Sequence, residues 1–325
     1  MKKNVLILGG DGQDGIILSR IFLNNGYKVT SVTRGKESRL QTLALVNREL
    51  LDSNFYKISC DISDLKNFER LLFLESPSLI INCSGVSAGA AMRKSIDVHM
   101  EQVFFPVETI CNWINRNNRK CRFVQLSSRE VFGLPATLPI NEQTPRNPRN
   151  NYGIAKNLTD ELILKNRQKY GTFLCSAILS NHVSFLSRNE NLLKKIAVYC
   201  SNKKKLNNFG EKLKIGSLKT ERSWLSAYDT CLCIFKMCVS NHAKDYVIGS
   251  SKPTSIEELL NVSFGYVGLE WRQNVEVDTT LDHTGEDGSF VCDSSNARNE
   301  LDWLPEENMK IIIKELIDDC GRYLT

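Results

Sequence analysis

Tyr152-Gly153-Ile154-Ala155-Lys156 sets a phenol and an ammonium four residues apart. On a helix that spacing puts both side chains on one face, a turn from each other. An ammonium beside a phenol favours the phenolate, so the pair is a candidate proton acceptor. Gln125-Leu126-Ser127-Ser128-Arg129-Glu130 closes an apolar run. Ser128 is therefore expected at the C-terminal edge of a strand, where parallel sheets bind their ligands. Gly9-Gly10-Asp11-Gly12-Gln13-Asp14-Gly15 follows the first apolar run and opens a stretch with helical spacing. Glycines so spaced allow a tight turn, close approach of backbone to a pyrophosphate, and packing of helix on strand. The plain alternatives are a turn without a ligand and a Tyr/Lys pair facing solvent. Serine, phenol, ammonium and glycine loop together favour a dinucleotide site with a proton acceptor beside it.

The second apolar run ends at Thr33-Arg34-Gly35-Lys36. A carboxylate at this point would take the ribose hydroxyls of NAD, whereas the Arg34 fork suits a 2′-phosphate, so the coenzyme expected is NADP. The alternative is a solvated surface arginine. In Asp61-Ile62-Ser63-Asp64, Asp61 either lies near the adenine or belongs to a helix cap, and the residue types allow both.

These residues need a scaffold. Short apolar runs at Val5–Leu8, Lys28–Val32, Phe55–Ile58, Leu79–Asn82, Arg122–Leu126 and Phe173–Ile178 alternate with helically spaced stretches. That alternation predicts an α/β fold, a Rossmann-type doubly wound parallel sheet with helices on both faces. The pattern weakens after about residue 180. The expected division is a coenzyme domain over 1–180 and a smaller α/β substrate lobe over 181–325. Lys203-Lys204-Lys205 reads as a solvated turn, and Cys231, Cys233 and Cys238 as buried thiols rather than metal ligands.

The 325 residues are 42% hydrophobic and 24% charged, a composition for a packed core rather than disorder. Lys plus Arg exceeds Asp plus Glu by 42 to 37, a net +5. So small and dispersed an excess does not indicate nucleic acid, but it suits an anionic small ligand. No apolar run approaches the ~20 residues of a membrane span. The N-terminal run meets glycine too soon for a signal peptide. Eleven scattered cysteines are not a disulfide framework and point to a reduced, cytoplasmic protein.

With these residues laid out, the chain resembles the extended short-chain dehydrogenase/reductase family, and within it the GDP-mannose 4,6-dehydratases. Gly12-Gln13-Asp14-Gly15 is similar to that group's G-Q-D-G, and Ser127-Ser128-Arg129-Glu130-Val131-Phe132-Gly133 resembles its S-T-S-E-L-Y-G. Asn181-His182 matches the start of N-H-E-S-P, and Arg222-Ser223-Trp224 resembles R-D-W. The resemblance implies an NADP-dependent nucleotide-sugar 4,6-dehydratase acting on a GDP-linked sugar, in polysaccharide biosynthesis, as a homo-oligomer (dimer or tetramer). In that chemistry the sugar is oxidised at C4, loses water across C5 and C6, and receives the hydride back at C6. Tyr152 would take the C4 hydroxyl proton, Lys156 would hold the phenolate and bind the nicotinamide ribose, and Ser128 would hydrogen-bond the C4 oxygen. Glu130 would remove the C5 proton and help water leave. Its alternative role is a structural ion pair with Arg129 or Arg122.

Residues and resemblance together give a coenzyme set of Gly9, Gly12, Gln13, Asp14, Gly15, Arg34, Asp61, Ser84, Tyr152 and Lys156. The resemblance implies a substrate set of Ser87, Asn181, Lys195, Arg222 and Glu286. Three segments depart from the group's pattern. Ser84–Gly89 lacks the Gln and His of G-A-Q-S-H-V, Ser184–Arg188 stands for S-P-R-R-G, and His283–Glu286 stands for R-P-T-E. The rival readings are a nucleotide-sugar 4-epimerase or 4-ketoreductase on the same scaffold, and a non-catalytic protein that holds NADP as sensor or scaffold.

Overall fold

The computed structural model describes residues 3–35, 53–85, 94–206, 211–278, 280 and 290–324. The six apolar runs become β1 (Asn4–Leu8), β2 (Lys28–Thr33), β3 (Phe55–Ser59), β4 (Leu79–Asn82), β5 (Arg122–Ser128) and β6 (Leu174–Leu179). A seventh strand, Tyr246–Ile248, completes the sheet, whose order is Tyr246–Ile248, β6, β5, β4, β1, β2, β3. Every neighbouring pair is parallel. The chain order reverses between β1 and β4. At such a switch point the loops part, and the crevice beyond the strands' C-terminal ends receives the ligand.

Strands covered on both faces are apolar at most positions. Val5 and Ile7 of β1 point to one core, with α1 (Gln13–Asn24) and its Ile17 and Phe22. Leu6 and Leu8 point to the other, with Phe68 of α2 (Leu65–Glu75) and Ile110 and Trp113 of α3 (Phe105–Asn117). The longest helix, α4 (Asn151–Tyr170), carries the Tyr/Lys pair. Asn150 caps its start, and Gly171 ends it in the left-handed region at φ 65°.

Beyond residue 180 a third core forms. Ile196 of α5 (Leu192–Leu206), Leu259 and Phe264 of α7 (Ile256–Tyr266), and Ile313 and Leu316 of α8 (Met309–Tyr323) meet there. Between α5 and α7 the chain returns to the sheet. There α6 (Ala227–Val239) packs on the α1 face and buries Cys231, Cys233 and Cys238, before Tyr246–Ile248 pairs with β6. The lysine run differs from expectation. Lys203 and Lys204 lie in α5, and their ammonium groups sit over the rings of Tyr199 and Tyr266 at 5.3 and 5.0 Å. Packing of α5 onto the lobe core carries the helix through them, and the ring faces attract the two ammonium groups.

Candidate active site

A groove of about 1480 Å³ runs along the C-terminal ends of the strands. Gly9, Gly12, Gln13, Asp14, Arg34, Asp61, Ser84, Ser128, Glu130, Tyr152, Lys156 and Asn181 line it. Gly15 is buried behind its wall. Lys195 is exposed on α5 and Arg222 is half-buried in the strand Glu221–Arg222, and neither lines the groove. Ser87 and Glu286, with His283, lie outside the described residues.

At one end the loop between β1 and α1 forms a cradle. Gly9 has φ +75°, and a Cβ there would fall 2.8 Å from the Ser84 backbone. A Cβ on Gly15 would fall 2.5 Å from the Gly9 carbonyl oxygen. The bare backbone therefore closes the turn, and the N-terminus of α1 is directed at whatever the cradle holds. Arg34 stands at the end of β2 on the same wall. Asp61 does two things at once. It lines the groove and accepts the Ser63 N–H at 3.0 Å, while Asp64 caps α2 by accepting the Asn67 N–H. A backbone cradle, a helix N-terminus and a guanidinium fit a dinucleotide with an extra phosphate on its ribose.

At the other end α4 presents Tyr152, Lys156 and Asp160, one turn apart on its buried face. Lys156 Nζ donates to the Leu126 carbonyl at 2.7 Å and lies 5.7 Å from the Tyr152 ring centre. Burial lowers the ammonium to a pKa of about 8, with Asp160 acting the other way. The phenol departs from expectation: burial raises it to about 12, a hydrogen bond with Ser128 lowers it less, and the Glu130 charge raises it further. Taken alone, the protein does not make a phenolate. The ammonium is tied to a backbone carbonyl, and the carboxylates nearby work against ionisation.

Glu130 sits on the short turn Arg129–Phe132 that follows β5. Its Oε2 accepts from Asn150 Nδ2 at 2.9 Å, and its Oε1 lies 3.6 Å from an Arg129 guanidinium nitrogen. The expected ion pair with Arg129 is thus present and coexists with a position on the groove wall. Arg122 instead donates to the Cys238 and Ser240 carbonyls.

The residues themselves did not disclose two features. Asp160, buried, accepts from the Ser127 and Ser176 hydroxyls at 2.7 Å each and pairs with Arg146 at 2.6 Å, behind Lys156. Extending the spacing of four by one more step would have found it. The second feature is a strap from 180 to 188 that crosses the glycine loop. Ser184 and Ser187 donate to Gln13 Oε1, and His182 Nε2 lies 3.1 Å from Asp14 Oδ1. The side chains of Gln13 and Asp14, expected on the coenzyme, thus hold the strap, although both residues line the groove.

His182 Nδ1 faces the Ser180 carbonyl at 2.9 Å, so both ring nitrogens stand against acceptors, an arrangement that favours the protonated ring. Burial alone would lower the His182 pKa, but the Asp14 charge and hydrogen bond raise it, and the same pairing lowers Asp14. A raised histidine stabilises the fold fully below its unfolded pKa and loses that contribution as pH rises through the folded one. His182→Asn is expected to lower stability by about 2 kcal/mol near pH 6. The gap to wild type should narrow as the pH is raised to about 9, read from denaturant melts at both pH values.

The parallel sheet, the glycine cradle and the Ser–Tyr–Lys cluster at the strand ends define an extended short-chain dehydrogenase/reductase. Residues 6–316 match the GDP-mannose 4,6 dehydratase family, and the chain belongs to that family of lyases. It is 28% identical over 331 residues to GDP-mannose 4,6 dehydratase 1 of Arabidopsis thaliana, covering 98% of this chain and 90% of that protein. Among solved structures it resembles dTDP-glucose 4,6-dehydratase from Bacillus anthracis in complex with NAD, with TM-score 0.82, 20% identity, and 98% and 97% of the two chains covered. It also resembles UDP-glucose 4-epimerase from Bifidobacterium longum in complex with NAD+ and UDP, with TM-score 0.83, 18% identity and 98% of each chain covered.

Proposed function

We propose that the protein is an NADP-dependent nucleotide-sugar 4,6-dehydratase whose substrate is GDP-mannose or a close analogue. The observation that carries this reading is the Glu130 carboxylate on the turn after Ser128, lining the same groove as Tyr152 and Lys156. The cradle of Gly9, Gly12 and Gly15 would hold the coenzyme pyrophosphate, Arg34 the 2′-phosphate, and Lys156 the nicotinamide ribose. When bound, the oxidised coenzyme supplies a hydride acceptor and a positive charge beside the phenol.

Tyr152 takes the C4 hydroxyl proton while Ser128 holds that oxygen. The resulting 4-ketone acidifies C5–H. Glu130 removes that proton, the C5–H electron pair becomes the C5–C6 double bond, and the C6 hydroxyl leaves with the proton as water; with the hydride taken from C4 returned to C6 and a proton returned to C5, the net change is the loss of one water. Asn181 supports a sugar-nucleotide subsite on the lobe side of the groove. Lys195 and Arg222 belong to this reading only as more distant cations toward a diphosphate. We assign the coenzyme to 1–180 and the sugar nucleotide chiefly to 181–325.

Two further parts of the reading concern surroundings. Ile154 and Leu158, exposed one turn apart on α4, support self-association as a dimer or tetramer. All eleven cysteines are free thiols, which supports a reducing, cytoplasmic setting. Among the described residues no helix is long and apolar enough to cross a membrane.

The test is incubation of purified protein with GDP-mannose and a panel of other nucleotide sugars, without added reductant. The expected product has lost one water and carries a 4-ketone. An epimer of unchanged mass, or stoichiometric consumption of NADPH, would replace this reading with epimerase or ketoreductase. Tight NADP binding with no product from any sugar would leave a sensor or scaffold. Glu130→Gln is expected to slow water loss about a hundredfold or more and to leave substrate binding in place. Unchanged turnover in that variant would remove the elimination role.

A further inference from the structure

Asn150 touches both halves of the machinery. Its Oδ1 accepts the Gly153 N–H at 2.8 Å and so caps the helix that carries Tyr152 and Lys156. Its Nδ2 donates to Glu130 Oε2 at 2.9 Å. The two elements are also in direct backbone contact, since a Cβ on Gly153 would fall 2.5 Å from the Glu130 carbonyl oxygen. Ser128 Oγ accepts the Glu130 N–H at 3.3 Å from the other side. One short amide side chain therefore ties the start of α4 to the carboxylate on the adjacent turn.

We propose that Asn150 is a positioning residue for the elimination half of the reaction. The inference rests on the dehydratase reading above. A cap alone does not require asparagine, because Ser and Asp cap helices about as well. What asparagine adds is a second, donor-only group on the same side chain. An amide N–H can orient a carboxylate but cannot take up the proton the carboxylate removes. Oε2 is occupied by that donor, whereas the Arg129 nitrogen lies 3.6 Å from Oε1, beyond hydrogen-bond distance, so the C5 proton lands on Oε1. The C5–H bond breaks, its electron pair forms the C5–C6 double bond, and the C6–O bond breaks. The leaving hydroxyl takes the proton from Oε1 and departs as water, returning Glu130 to its carboxylate. Asn150 neither gains nor loses a proton.

The experiment compares Asn150→Ser and Asn150→Asp with wild type in the full chain. Ser keeps the cap and removes the donor. Asp keeps the cap and sets a like charge against Glu130. Melting temperatures of the coenzyme-free proteins are expected to match wild type for Ser, with little change for Asp. With GDP-mannose as the probe, kcat is expected to fall about tenfold to a hundredfold, more for Asp, with KM within about twofold. Uptake of deuterium from heavy water at C5 should slow in step with kcat. The near-ultraviolet absorbance of reduced nicotinamide should build up during turnover, because C4 oxidation outruns elimination. Wild-type kcat and no such build-up in both variants would overturn the proposal. So would a fall in melting temperature with an equal loss of C4 oxidation, which marks a structural cap only. If wild-type protein dehydrates no nucleotide sugar, the parent reading fails instead, and that is visible before either variant is compared.

Discussion

Tyr152→Phe is expected to lower kcat about a thousandfold, near the middle of what a positioned proton acceptor contributes and equivalent to about 4 kcal/mol of barrier. The change removes one oxygen and leaves the ring. The ring's edge contact with His99, 5.8 Å between centres, and its place near the Lys156 ammonium both survive. Ser128 loses the phenol but keeps the Glu130 N–H, so no hydroxyl is stranded in the core. Stability is therefore expected to change by less than about 1 kcal/mol, and NADP affinity only modestly. The contrast between folding and turnover separates a chemical role from a packing one. It is measured by denaturant melts, coenzyme titration and steady-state kinetics on one preparation. A variant that turns over at a tenth of the wild-type rate or faster would show that another group takes the C4 proton.

The elevated phenol adds a pH signature to this result. In the free protein burial holds Tyr152 at about 12. A group that must lose its proton to act gives kcat/KM that climbs with pH while the free enzyme is below that value. Lys156, held at about 8, loses its charge over the upper part of the same range and flattens the climb. The residual activity of Tyr152→Phe is expected to lack the climb. A profile as steep in the variant as in wild type would assign the titration to some other group.

How far the sequence disclosed this depends on the range over which each residue acts. Five of the first six strands were legible because a buried parallel strand is a largely apolar run, and half-exposed β3 at the sheet edge because its types favour strands; each run falls within two residues of its strand. The seventh was not, because Tyr246–Ile248 has only three residues and pairing with β6 alone makes it a strand. Tyr152 and Lys156 were legible because a spacing of four is a local rule. The roles of Gln13 and Asp14 were not. Their side chains meet partners at 182–187, on a strap about half the chain away, and no local pattern announces a contact of that range. Asn150 reads as a cap from its type and place, but its hold on Glu130 requires the turn after β5 to fold against α4. The ionisation of Tyr152 went the other way from the local rule for a related reason. A neighbouring ammonium is visible in sequence, while burial and the convergence of Glu130, Asp160 and Asp14 on one phenol are not.

The glycine loop makes the second large prediction, because its four glycines are constrained in different ways. Gly15→Ala would place Cβ 2.5 Å from the Gly9 carbonyl oxygen and 2.7 Å from Gly10 Cα. Both are backbone atoms of a closed turn, so neither can rotate away, and α1 must shift off the loop. Overpacking of this kind costs about 1–3 kcal/mol. Gly12→Ala is the informative contrast. Its Cβ would meet only the Gly9 carbonyl oxygen, at 3.2 Å, and Gly12 lies exposed on the groove wall. The fold is expected to tolerate that methyl, while a pyrophosphate approaching the backbone would not. Thermal melts should therefore rank Gly12→Ala with wild type and Gly15→Ala clearly below. Titration with NADP should show affinity reduced at least about a hundredfold in both, a loss of roughly 3 kcal/mol. If Gly12→Ala bound NADP as wild type does, the loop would be a structural turn. The coenzyme phosphates would then have to lie elsewhere along the groove.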